Sequence, residues 1–96
     1  MSSSRQIQAK FKHAADFGVS GTYNKANAAK FNASINQHIN NPHVQKIHGA
    51  YRGNPVIHYL DPKTGLNIIS SRSGEFISGW RLNSVQLQSI REHGGL

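Results

Sequence analysis

The sequence predicts an α+β fold: two N-terminal helices, a small twisted antiparallel sheet of about four strands, and one C-terminal helix. Three observations carry this expectation. Apolar residues recur every three or four positions through the first forty residues, the spacing of an amphipathic helix. From Val44 onward the period falls to two in segments rich in Ile, Val, Tyr and Phe, the spacing of strands. The breaks between those segments are a few residues of Gly, Pro, Asn, Asp and Ser, short enough only for antiparallel hairpins.

Ile7, Phe11, Ala14 and Ala15 place a first helix over residues 5–16, broken by Phe17-Gly18-Val19-Ser20-Gly21-Thr22, whose glycines suit left-handed turns. Asn24 is a suitable N-cap for a second helix, with Ala28, Phe31, Ile35, His38 and Ile39 as its buried stripe and Asn40-Asn41-Pro42 as its end. Strands follow at 44–52, 55–60, 66–71 and 75–82, joined through Arg52-Gly53-Asn54, Asp61-Pro62-Lys63-Thr64-Gly65 and Arg72-Ser73-Gly74. Asn83-Ser84 caps a last helix through Val85, Leu87 and Ile90, which stops at Gly94-Gly95. No repeat or low-complexity segment interrupts this order, and the helices are expected to pack on one face of the sheet.

At 96 residues the chain is one domain with a small core. Its start, Met1-Ser2-Ser3-Ser4-Arg5, lacks the apolar stretch of a signal peptide, and residues 1–4 read as a disordered polar lead-in or the remnant of a larger protein. No apolar run is long enough for a membrane helix. The absence of cysteine excludes disulfides and thiolate metal sites while leaving the redox compartment open. No apolar self-association stripe is evident, so a monomer is expected.

Charge is more informative. Eleven Lys and Arg face four acids, Asp16, Asp61, Glu75 and Glu92, for a net charge of +7. The excess is spread along the chain, which points to a folded basic surface and a polyanionic partner, nucleic acid before membrane. Four scattered acids and six histidines without a recognisable ligand spacing are poor material for a metal site, and no cofactor is expected.

The densest knot of cations is Lys10-Phe11-Lys12-His13. RNA carries its own nucleophile, the 2′-hydroxyl, so cleaving it requires a proton-transfer group near neutral pH and positive charge around the phosphorane. On a helix Lys10 and His13 share a face while Lys12 projects about 100° away, so one phosphate can touch all three. The cations lower the imidazole pKa and favour its basic form. The competing reading is a solvated helix face with an incidental histidine. His38 reads as a core or boundary residue, His43 precedes a strand and His93 favours a helix C-terminus. His48 and His58, on adjacent strands, are candidates for a second catalytic group or for structural roles. In Glu75-Phe76-Ile77-Ser78-Gly79-Trp80-Arg81, alternation puts Phe76, Ser78 and Trp80 on one face. A hydroxyl beside the only tryptophan offers a hydrogen-bond group and a stacking platform for a base, against the plainer reading that both aromatics fill the core.

Three segments in order, "KFKHAADFGVSGTYNK", "GAYRGNPVIHYLDPKTGLNII" and "GEFISGW", resemble the colicin D nuclease-domain family and the related toxin tips of contact-dependent growth inhibition systems. The likeness runs from about Lys10 to the end of the chain. It implies a microbial-ribonuclease-like α+β domain spanning 1–96, and a metal-independent ribonuclease that cuts tRNA in the anticodon loop and blocks translation. It maps the catalytic histidine onto His13, the assisting lysines onto Lys10 and Lys12, and the serine and tryptophan of its S-G-W segment onto Ser78 and Trp80. It further implies delivery as the C-terminal tip of a larger toxin into a target-cell cytoplasm, and neutralisation by an acidic immunity protein. Two other readings of the residues stay open: a basic RNA-binding module without catalysis, and a general ribonuclease.

Overall fold

The computed structural model describes residues 4–96. Helix α1 (Ser4–Ala9) leads into a 3₁₀ helix (Phe11–Phe17), followed by α2 (Lys25–Asn40), strands β1 (Gln45–Tyr51), β2 (Asn54–Leu60), β3 (Leu66–Ser70) and β4 (Phe76–Arg81), and α3 (Ser84–His93). The strands form one antiparallel sheet in the order β1-β2-β3-β4. The fold class is therefore α+β, as the periodicities imply. Ser4, assigned to the polar lead-in, is instead the first residue of α1, and the rest of that lead-in, residues 1–3, lies outside the described residues.

The single first helix expected over 5–16 is two elements. Lys10 leaves the helical region (φ −105°, ψ 8°), and the chain tightens into seven residues of 3₁₀ helix, long for an element that seldom exceeds four. Phe31 supplies the reason. With three residues per turn, Phe11, Ala14 and Phe17 eclipse one another, whereas α-helical winding would turn Phe11 and Phe17 well apart. Both rings reach Phe31, which is fully buried on α2, at centroid distances of 5.8 Å and 5.9 Å. Gly18, left-handed at φ 82°, closes the element by donating to Ala14 and Ala15 carbonyls. Helices α2 and α3 are capped as their sequences require, Asn24 Oδ1 accepting from Asn27 N and Asn83 Oδ1 from Gln86 N.

The helices divide between the two faces of the sheet rather than sharing one. Tyr59, Ile68 and Gly79 lie in register on the face covered by α1, the 3₁₀ helix and α2, with Ile7, Ala14, Phe31 and Ile35 in its core. Leu60, Asn67 and Trp80 are in register on the opposite face, where Leu60, Leu82 and Ile90 form a second cluster under α3. After α3 the backbone of Gly94–Leu96 runs along β1, Ala50 N and Arg52 N donating to the carbonyls of Gly94 and Leu96. The tail thereby covers the sheet edge. Gly49 permits this approach, since a Cβ there would fall within the Gly94 carbonyl group.

A bulge in β4 sets where its side chains point. Ile69 pairs with Ser78 but Ser70 pairs with Phe76, leaving Ile77 as the extra residue. Phe76 consequently turns onto the helical face, edge-on to Phe31 at 6.1 Å, while Ser78 and Trp80 face the other way. The expectation that all three share a face fails at Phe76 because strict alternation does not survive an extra residue. Gln6 Nε2 donates to the Ile77 carbonyl and so ties α1 to the bulge.

Two buried histidines are structural. His58, wholly inaccessible, donates from Nε2 to Ala50 O and accepts from Asn67 Nδ2 at Nδ1. His38 Nε2 donates to Tyr59 O. Burial lowers the pKa of both, against the raising effect of the carbonyls they bond and, for His38, of Asp61. Depressed folded-state values mean that the unfolded chain binds more protons in acid. Stability should thus be complete above about pH 6.5, the unperturbed histidine value, and be lost as pH falls through the folded-state values. Urea unfolding between pH 7.5 and 4.5 tests this; an unchanged midpoint would show that neither imidazole is held neutral.

Candidate active site

The 3₁₀ geometry that serves Phe31 also organises the cations. Three residues per turn put Lys10, His13 and Asp16 in one eclipsed row beside the core-facing row of Phe11, Ala14 and Phe17, and Lys12 in the next. This is a tighter alignment of Lys10 with His13 than the α-helical offset expected from sequence. Asp16 anchors the row, its Oδ2 accepting from Arg81 N at 3.0 Å, the point where β4 ends.

Five residues singled out in the sequence, Lys10, Lys12, His13, Ser78 and Trp80, line one open cleft of about 250 Å³. The His13 ring lies 5.7 Å from Trp80, centroid to centroid. Ser78 is 1% exposed, and its hydroxyl bonds no other described residue although it borders the cleft. The Trp80 indole N–H donates to Gln86 Oε1, which also accepts from Asn83 N in the α3 capping box, so the indole plane is held by the start of α3.

The remaining lining residues, Tyr51 and Arg52, come from the β1–β2 hairpin and escaped the sequence reading. Tyr51 stands 6.0 Å from Trp80, and the Arg52 guanidinium lies 5.3 Å from the Tyr51 ring. A signal was present: Arg52-Gly53 is a two-residue hairpin turn with φ 51° and 81°, and the first position of such a turn favours Asn, Asp or Gly. An arginine there carries a backbone penalty of about 1–3 kcal/mol, the kind of strain that clusters at functional sites.

Three cations and no carboxylate line the cleft, so it suits an anion. The other histidines stand apart from it. His58 is committed to its structural bonds, His38 and His43 border separate hollows near Asp61, and His93 pairs with its neighbour Glu92 at 3.7 Å on the surface. His48 does not line the cleft either. Among the described residues no three His, Asp or Glu side chains gather as a metal ion would require, and no helix is long and apolar enough to cross a membrane.

Partial burial lowers the His13 pKa first, Lys12 and then Lys10 lower it further, and Asp16 opposes them. The neutral imidazole is therefore the dominant form at neutral pH. Following the His13 ring protons by NMR should show its midpoint rising in Lys12→Gln and falling in Asp16→Asn. Movement in the reverse sense in either variant would refute this balance of charges.

Known proteins resemble this chain in sequence and in fold. The colicin D family matches residues 6–90. Colicin-D of Escherichia coli is 40% identical over 86 residues, which cover 84% of this chain but 12% of that much longer protein. A solved ribonuclease from Escherichia coli, in complex with its inhibitor protein, superposes with a TM-score of 0.85 at 33% identity, covering 95% of this chain and all of that one. With the family match running almost from end to end, this chain belongs to the colicin D family.

Proposed function

We propose that the chain is the ribonuclease domain of an antibacterial toxin, which cuts tRNA in the anticodon loop without a metal and leaves 2′,3′-cyclic phosphate and 5′-hydroxyl ends. The observation that carries this reading is the cleft itself: a neutral-leaning imidazole, three cations, a free hydroxyl and an aromatic ring around one anion-sized space. Family membership and the ribonuclease neighbour support it.

In this mechanism His13 takes the proton of the 2′-hydroxyl as that oxygen attacks phosphorus. The P–O5′ bond breaks, and the resulting imidazolium returns the proton to the departing 5′-oxygen. Lys10, Lys12 and Arg52 neutralise charge as it builds on the phosphorane oxygens, where preorganised cations are most effective. Ser78 hydrogen-bonds phosphate or ribose, and Trp80 confines the reacting nucleotide. An acidic immunity protein would cover the same cations, drawn by the net charge of +7. Delivery as the tip of a larger toxin accords with the 12% of colicin-D that this chain matches.

Incubation of total RNA with the protein in EDTA should yield one discrete cut in tRNA with cyclic-phosphate ends. His13→Ala should slow it by a factor of about 10² to 10⁴, the usual worth of a general acid–base, while RNA binding persists. Intact RNA, or cleavage that returns only with added metal, would overturn the proposal; loss of many RNAs at once would make the domain a general ribonuclease, and toxicity undiminished in His13→Ala would make it a binding module. Arg52→Asn separates stability from activity. It suits the turn better, so the melting temperature should hold or rise while kcat/KM falls by about tenfold or more, since one phosphorane contact is lost. An active Arg52→Asn variant would remove Arg52 from the mechanism.

A further inference from the structure

Beside the cleft lies a second, larger hollow of about 360 Å³, bounded by the β1–β2 turn on one side and α3 on the other. Tyr51, Arg52 and Trp80 line both spaces, so the two adjoin across these shared walls. Their characters differ. The cleft adds Lys10, Lys12 and the His13 imidazole to the shared walls, whereas the hollow adds the apolar Val85 and Leu96 with Gln86 and Ser89. Val85 is 75% exposed on the first turn of α3, the most exposed large apolar residue described. At the polar edge, Gln86 Oε1 is already taken by Trp80 Nε1 and Asn83 N, which leaves the Gln86 amide Nε2 to donate.

We propose that this hollow is a nucleobase subsite, seating an unstacked base of the nucleotide next to the scissile phosphate. The assignment rests on the ribonuclease reading above and deepens it. A phosphate held by Lys10, Lys12 and Arg52 carries its neighbouring ribose and base outward, and the adjoining hollow, with its aromatic and aliphatic walls, is where a flat ring can go. The Trp80 ring lies 5.7 Å from His13 and 6.0 Å from Tyr51, so it links the proton-transfer group to the wall of the hollow. Aromatic walls accept any base face, and stacking against them is strong enough to place the backbone. The guanidinium over Tyr51 serves both spaces, one as phosphate ligand and the other as a stiffener of the wall. Splaying one base into the hollow would also turn the sugar–phosphate link away from stacked geometry, a requirement for the 2′-oxygen to line up with the P–O5′ bond.

The test uses the RNA in which the cut has been mapped, prepared with an abasic nucleotide on either side of the cleaved bond, and compares wild type with Tyr51→Ala and Val85→Ala. Wild type should lose about tenfold or more in kcat/KM on one of the two abasic RNAs. Tyr51→Ala should lose a similar factor on intact RNA but little more on that abasic RNA, because ring and base are two halves of one contact. Val85→Ala, a substitution that favours the helix, should show the same pattern at smaller size. Full-rate cleavage of both abasic RNAs by wild type, or an equal loss by Tyr51→Ala on intact and abasic RNA, would overturn the subsite and leave the ribonuclease proposal standing. If wild type cuts no RNA, both fall together.

Discussion

Phe31 holds the arrangement together. One buried ring on α2 receives Phe11, Phe17 and Phe76, and those contacts have consequences beyond the core. To bring Phe11 and Phe17 onto the same ring the N-terminal segment must wind at three residues per turn, and that winding stacks Lys10, His13 and Asp16 in one row. Phe76 can reach the same ring only because β4 carries a bulge, which turns Ser78 and Trp80 toward the other face. The basic row and the strand residues of the cleft thus owe their placement to one packing requirement.

The cleft pays for its cations with repulsion that the fold relieves only in part. Among the described residues Asp16 is the one acid acting on His13, and its carboxylate also accepts from the Arg81 backbone N–H. Burial and both lysines outweigh it, leaving the imidazole in its neutral form. Arg52 adds a third cation from a turn where arginine is conformationally unfavourable. Uncompensated charge and a strained turn cost stability, and the charge disfavours an empty site relative to one holding an anion.

Stability is supplied elsewhere, by features remote from the cleft chemistry. The Gly94–Leu96 tail covers the β1 edge, Gly49 admits it, and His58 is buried among the strands with both ring nitrogens bonded. Residues that look chemically capable in isolation stand elsewhere: the His38 and His58 rings are bonded within this scaffold, His43 and His93 are exposed away from the cleft, and His48 is also outside it. A count of imidazoles is therefore a poor guide to chemistry, and position relative to the basic row is the better one.

The α+β order, the caps at Asn24 and Asn83, the left-handed stops at Gly18 and Gly94 and the four strands were all legible from sequence, because each depends on contacts within a few residues. The Lys10-Phe11-Lys12-His13 cluster was legible for the same reason, and the gathering of Ser78 and Trp80 beside it followed from family resemblance. What local pattern could not carry was the break at Lys10, the β4 bulge, the division of helices between two faces and the entry of Tyr51 and Arg52. Each of these is decided by groups far apart in the chain: Phe31 against Phe11 and Phe17, Gln6 against the bulge at Ile77, and α3 with its tail against β1. Periodicity registers which side a residue wants to bury. The helical winding and strand register that satisfy distant partners together are set by tertiary packing, where removing Phe31 contacts would cost more than the irregular backbone does.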